Sequence, residues 1–222
     1  KKYNLFIIED ACHAINAERK GKKAGALSTS ACFSLHPIKN LNVWGDGGFI
    51  TTNSNKIHKK LVLLRNHGLV NRDTCKIFAG NSRLDSLQAI VAKHLIKKIK
   101  YITNKRISNA SLFDKELLSI PEIILPTRHK DHKQVFHIYV IRCNKRNELR
   151  KYLINNGIDA KIHYPIPMHL QPAAKEFGYK KGDFPKSEMI CKSVLSLPVH
   201  EFISKEQIIF VVEKIKKFFK NK

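Results

Sequence analysis

Leu5-Phe6-Ile7-Ile8-Glu9-Asp10 is a short apolar run that ends in two acids, and Ala11-Cys12-His13-Ala14 follows it directly. A buried parallel strand reads this way, with continuous apolar residues and polar ones gathered at its C-terminal end. Ligands of open α/β sheets collect at such ends. The run therefore predicts an α/β layer with Asp10 and His13 at its working edge. Residues 21–30, rich in Gly, Ala and Ser, read as turns. Residues 31–35 read as a second short strand, stopped by Pro37. Gly45-Asp46-Gly47-Gly48 is a tight turn, and residues 48–52 form a third strand.

Further along, residues 56–65 carry helical periodicity, and residues 66–81 read as a loop. Asp85 is placed to cap one long helix over residues 86–117. Pro121 and Pro126 mark a change of unit. Residues 136–143 and 161–164 read as strands, and residues 145–156, 187–194 and 205–219 as helices. Gly157 suits a left-handed cap, and Ser204 with Gln207 matches a capping box. Pro165, Pro167 and Pro172 fix an irregular loop between two of these elements. Alternating short strands and helices imply an α/β domain over residues 1–118, and the remainder a smaller α+β domain over residues 119–222.

Composition narrows the function. The 222 residues, 43% hydrophobic, suffice for a core. No apolar run approaches the ~18 residues of a membrane span, and no charged-then-apolar leader opens the chain, so a cytoplasmic protein is expected. Lys and Arg number 41 against 18 Asp and Glu, a net charge of +23. Clustered, these would favour nucleic acid. They are spread along the chain without a nucleic-acid motif, so nucleic acid is not expected as a partner. Some of them can attract a phosphorylated small molecule instead. The five cysteines, at 12, 32, 75, 143 and 191, show no C-x-x-C, so free thiols are expected and a zinc site or disulfide framework is not.

Four clusters can carry chemistry. Asp10, at a strand end, can hold a pyridinium nitrogen protonated, and His13 can meet the same ring. From these residues alone a helix cap and a packed core histidine are the favoured readings. Lys39 follows a strand and a proline-stiffened turn, where an amine freed of its proton can attack an aldehyde. Ser34, five positions earlier, can donate to a phosphate. A solvent lysine is the bland alternative. Asn81 and Arg83 lie in a Gly-rich approach to a helix and can bind an anion, or merely cap it. His163 and Tyr164 open the proline-rich loop and can stack on a sugar or base, or simply link elements.

In this order the clusters resemble the DegT/DnrJ/StrS family of pyridoxal-phosphate-dependent sugar aminotransferases. The matching stretches are I-I-E-D-A-C-H-A (7–14), F-S-L-H-P-I-K-N (33–40), G-D-G-G-F-I-T-T (45–52), L-R-N-H-G (64–68), N-S-R-L-D-S-L-Q-A (81–89), H-Y-P-I-P-M-H-L-Q-P (163–172), G-D-F-P (182–185) and L-S-L-P (195–198). The resemblance implies the C-terminal portion of a fold-type-I, aspartate aminotransferase-like large domain followed by a small α+β domain. It implies pyridoxal 5'-phosphate as cofactor, with Lys39 as its Schiff-base lysine and proton carrier. Asp10 pairs with the pyridine nitrogen, His13 touches the phenolic oxygen, and Ser34 holds the phosphate. Asn81 reaches the partner subunit's site, which makes the active site the product of a homodimer. Arg83, His163 and Tyr164 match positions that touch a nucleotide-linked sugar.

The loop at 163–172 and the run G-Y-K-K-G-D-F-P (178–185) look most like the subgroup that aminates carbon three of a keto-sugar nucleotide, with glutamate as the usual donor. The implied role is biosynthesis of an amino sugar for a surface polysaccharide or glycan. Asp46 stands where the family more often has Glu. Family members also carry an earlier segment with a Gly/Ser/Thr phosphate loop and a ring-stacking aromatic, and nothing from Lys1 onward supplies either. A sheet without that segment is expected to expose strand edges and apolar surface. Two other readings share these residues: a same-fold sugar dehydratase, against which Lys39 argues, and a non-catalytic remnant or basic binding module.

Overall fold

The computed structural model describes residues 2–3 and 5–220. Contacts divide the chain into two units, Lys1–Asn104 with His129–His137, and Lys105–Arg128 with Ile138–Lys222. This differs from the expected division at 118/119. The second unit takes the later turns of a long helix, while a short strand near residue 132 returns to pair in the first.

In the first unit, β1 (Ile8–Asp10) lies parallel to β4 (Ser30–Ser34), which pairs antiparallel with β5 (Gly48–Thr52). Burial follows β4. Ala31 and Phe33 sit in one apolar cluster with Ala11, and the Phe33 ring stacks on Phe49 at 4.7 Å. Leu35, Leu41 and Val43 form a second cluster against Leu84, Val91 and Leu95. The expectation of a buried first strand is corrected: Leu5, Phe6, Ile7 and Ile8 are 60–86% exposed, because β1 has β4 as its one strand neighbour among the described residues. Exposed edge and apolar surface are thus present, as expected.

The stretch read as turns contributes one strand to a small second sheet. Strands β2 (Glu18–Arg19) and β3 (Lys22–Lys23) form a hairpin, and β6 (His132–Lys133) pairs with β2. Helix α1 (Asn55–Arg65) is capped by Ser54, whose hydroxyl accepts from Ile57 N. The expected single helix over 86–117 is broken. It comprises α2 (Ser86–Leu95), a 3-10 turn (Ile96–Lys98) and α3 (Ile99–Leu117). Asp85 does stand at the cap of α2, but its side chain makes no capping bond.

The second unit is built on β7 (Tyr139–Arg142) and β8 (Val194–Leu197), an antiparallel pair packed against α4 (Arg146–Asn155) and α6 (Lys205–Lys220). Phe113, Leu117, Tyr139, Ile141, Leu149, Leu153, Leu195, Ile208 and Ile215 are fully buried. Each such side chain contributes about 1.5–3 kcal/mol relative to exposure. Helix α4 closes on Gly157 at φ 76°. Ser204 and Gln207 exchange the expected hydrogen bonds, N–H to Oε1 at 2.9 Å and N–H to Oγ at 3.2 Å. Residues 161–164 make one β-bridge, Lys161 with Ser196, rather than a strand. The proline-rich loop contains two 3-10 stretches, Met168–Leu170 and Pro172–Phe177, before α5 (Pro185–Ser193). Among the described residues no helix is long and apolar enough to cross a membrane.

Candidate active site

Asp10 ends β1 opposite Cys32 of β4, and Ala11 N–H donates to Cys32 O at 2.9 Å. The turn that follows is tied back to the strand, with Cys12 N–H donating to Asp10 Oδ1 at 3.2 Å. Hydrogen bonds from Cys12 hold the Asp10 carboxyl below its usual range, and the charges of His13 and Lys39 lower it further. Lys39 also acts electrostatically on the Cys12 thiol. Asp10 at the end of β1 and Ser34 at the end of the adjacent parallel β4 thus lie on neighbouring strand ends, with Lys39 on the segment that leaves β4.

The segment carrying Lys39 is held at several points. Ser34 Oγ accepts from His36 N–H at 3.2 Å, and His36 Nδ1 accepts from Ile38 N–H at 3.3 Å. Lys39 N–H donates to His36 O at 2.9 Å, and Asn42 Nδ2 donates to Lys39 O at 3.0 Å. The next residue, Asn40, is buried and donates to Val135 O at 2.7 Å. A half-buried lysine thus rides on a backbone fixed from both sides.

Glu9 ties the turn at residues 25–28 to β1. Its carboxylate accepts from Gly25 N–H and Leu27 N–H, both at 2.9 Å, and from Ser28 Oγ at 3.0 Å. Burial pushes its pKa up, but these donors outweigh it and leave the group below its ordinary value. The His13 ring packs on His137, centroids 4.2 Å apart.

Asn81 and Arg83 form one exposed network with Asn66. Asn81 Oδ1 accepts from Arg83 Nε at 2.9 Å, and an Arg83 terminal nitrogen donates to Asn66 Oδ1 at 3.3 Å. Asn66 and Asn81 also form a β-bridge that closes the neck of the intervening loop. Gly68, at φ +71° in that neck, packs so tightly on Ile77 O that a Cβ there would collide with it.

His163 and Tyr164 belong to the second unit. His163 Nδ1 lies 2.8 Å from Ser196 Oγ, and burial with the nearby Lys161 charge lowers the His163 pKa. Tyr164 meets the His163 ring edge-on at 5.5 Å and is 67% exposed. A buried pair, His169 Nε2 to Glu188 Oε1 at 3.1 Å, staples the loop that follows to α5.

Residues 1–216 match the profile of the DegT/DnrJ/EryC1/StrS aminotransferase family. The chain belongs to that family. It is 40% identical to a dTDP-3-amino-3,6-dideoxy-alpha-D-galactopyranose transaminase from Aneurinibacillus thermoaerophilus, over 98% of this chain and 59% of the relative. It is 37% identical to a pleiotropic regulatory protein of Geobacillus stearothermophilus, over 100% of this chain and 60% of the relative. The crystal structure of S. venezuelae DesV in complex with a ketimine intermediate superposes with a TM-score of 0.94 at 34% identity, covering 98% of this chain and 58% of that one. The chain therefore spans about three-fifths of the length of the curated relatives it matches. Its fold is a partial fold-type-I domain of this aminotransferase family, in agreement with the expectation from sequence.

Within the family frame, the first unit brings together Asp10, His13, Ser34 and Lys39 around two adjacent strand ends, and sets Asn81 with Arg83 on a separate loop network. Three participants escaped the sequence reading. His137 packs on His13, Asn40 anchors the lysine segment, and Ser196 holds His163. Their partners lie 124, 95 and 33 positions away in the chain, so no local pattern could have marked them.

Proposed function

We propose that this chain forms part of a pyridoxal-phosphate-dependent aminotransferase that transfers an amino group from glutamate to carbon three of a keto-sugar nucleotide. The observation that carries this reading is the placement of Asp10 and Ser34 at the ends of two adjacent parallel strands, with Lys39 on the hydrogen-bonded segment that follows. The donor set suits the cofactor: an ionised carboxylate for a pyridinium nitrogen, a hydroxyl for a phosphate and an amine for an aldehyde. When bound, the cofactor supplies the electron sink that lets a proton leave carbon next to nitrogen.

The chain's own residues do the rest. The Asp10 carboxylate, its pKa lowered by Cys12, would pair with the cofactor's ring nitrogen and favour its protonated form. Ser34 Oγ, which accepts from His36 N–H, keeps its own proton to donate to the phosphate. His13, its ring packed on His137, would contact the cofactor's phenolic oxygen. Lys39 Nζ would take the proton from the donor's α-carbon and, in the return half of the reaction, deliver one to carbon three of the sugar. Amino donor and keto-sugar leave as keto acid and amino sugar, so atoms balance. Asn81 lies on an exposed loop and would serve the partner subunit's site in a homodimer, while Arg83, bonded to it, would contact the nucleotide-linked sugar. The 40% identical transaminase, named for a 3-amino sugar nucleotide, supports the choice of carbon three.

The test uses the full chain, incubated with pyridoxal phosphate and then with glutamate and a keto-sugar nucleotide. A visible absorbance band and amino-sugar product are expected, both lost in Lys39→Ala. A full chain with intact Lys39 that shows no band would sink the reading.

A further inference from the structure

The second unit holds a side-chain pair that the reaction scheme does not use. Ser196 lies in β8, opposite Val140 of β7, and is buried. On its other side its N–H donates to Lys161 O at 2.7 Å, and its carbonyl accepts from Lys161 N–H at 3.1 Å. The hydroxyl is therefore carried by a backbone fixed along both edges. Its one hydrogen-bond partner among the described residues is His163 Nδ1, at 2.8 Å.

Which atom carries the shared proton follows from satisfiability. A neutral imidazole has one donor nitrogen and one acceptor nitrogen. Were His163 Nδ1 the donor, the Ser196 hydroxyl proton would be left buried without an acceptor, an expensive state. With the hydroxyl donating to Nδ1, both groups are satisfied, and the ring's proton resides on Nε2. Nε2 makes no hydrogen bond within the described residues, so it is left for a ligand. Burial and the charge of Lys161 both disfavour the doubly protonated ring, so a single tautomer is the relevant description.

We propose that Ser196 is a positioning residue that locks His163 as the Nε2–H tautomer, so that His163 offers a fixed hydrogen-bond donor to an oxygen acceptor of the keto-sugar nucleotide. The acceptor is a hydroxyl, carbonyl or phosphate oxygen, since Nε2 in this tautomer cannot accept. The proposal rests on the aminotransferase reading for the identity of the ligand, but the tautomer itself does not depend on that reading.

The experiment has two arms, both on the full chain. In the first, histidine is labelled with 15N, and His163 is assigned by comparison with His163→Gln. Its ring nitrogens should show the Nε2–H pattern in the parent protein, and a mixed or Nδ1–H pattern in Ser196→Ala. In the second arm, Ser196→Ala should raise KM for the keto-sugar nucleotide roughly 3–10-fold, the worth of one neutral hydrogen bond, with kcat and the KM for glutamate little changed. Ser196→Thr, which keeps the hydroxyl, should restore both readouts.

An Nδ1–H ring in the parent protein overturns the proposal, as does a tautomer unmoved by Ser196→Ala. A correct tautomer combined with an unchanged sugar KM in both Ser196→Ala and His163→Gln overturns its ligand half. If the parent protein transfers no amino group, the function proposed above fails instead, and the first arm still decides the tautomer.

Discussion

Asp10 is the residue on which most chemistry converges, and its charge has a testable pH signature. Its folded-state pKa is lowered, chiefly by Cys12. A lowered carboxylate pKa contributes stability that is fully present above the unfolded value, near 3.9, and is lost as pH falls through the folded one. The difference in denaturant midpoint between the parent protein and Asp10→Asn should stay constant above about pH 5 and shrink below about pH 4. A difference that grew on acidification would show that the carboxylate is not favoured in the fold. In the full chain the same substitution removes charge beside the reacting centre, and amino transfer should fall at least ~100-fold. Unchanged kcat would place the ring nitrogen elsewhere. Lys39 was singled out in the sequence by the resemblance that F-S-L-H-P-I-K-N carries, since a lysine after a strand and a proline turn is not distinctive by itself among 41 basic residues. His137 was not, because nothing in its neighbours' sequence says which ring it will meet.

Among the elements, α3 is joined to its unit by two charged contacts, one deeply buried and one partly exposed. Arg106 and Glu201 meet at 3.0 Å with both side chains about nine-tenths buried, and burial lowers the Arg106 pKa. Asp114 receives Arg128 in two bonds of 2.9 Å and the Tyr139 hydroxyl at 2.7 Å. Removing one half of a buried pair costs more than removing both. Glu201→Ala should lose about 3–5 kcal/mol by chemical denaturation, while Arg106→Met with Glu201→Leu should lose less. Additive losses would mean that the pair is not coupled.

Elements with strong local periodicity or capping were readable from sequence: residues 48–52 as a strand, and the last helix with its Ser204–Gln207 box. The hairpin of β2 and β3 was not. Glu18, Arg19, Lys22 and Lys23 show no apolar alternation, and the pairing is completed by residues 132–133, over a hundred positions away. The break at residues 96–98 also lacks any Gly or Pro to announce it.

For the molecule as a whole, the open side of β1 dominates. Ile8 of β1, 67% exposed, and Phe6 just before it, 86% exposed, lie beside a strand edge that no other described strand pairs with, a template for association. The net charge of +23 opposes association through repulsion, and salt screens that repulsion. The 222-residue chain prepared by itself should therefore self-associate more at high salt, as read by gel filtration or light scattering. Phe6→Lys with Ile8→Lys should shift it toward monomer. Association that weakened with salt, or ignored both substitutions, would place the sticky surface elsewhere.

The neck at Gly68 makes the loop that presents Asn81 and Arg83 unequally open to change. At its tip, Asn71 Oδ1 collects the N–H groups of Asp73 and Thr74, and these residues face solvent. New side chains there meet nothing within the unit. At the neck, a single added methyl would push Ile77 aside and unseat the bridge between Asn66 and Asn81. Sequence drift in this segment is thus throttled at one position and free a few residues away, and a library spanning 66–81 should return variety at the apex and monotony at 68.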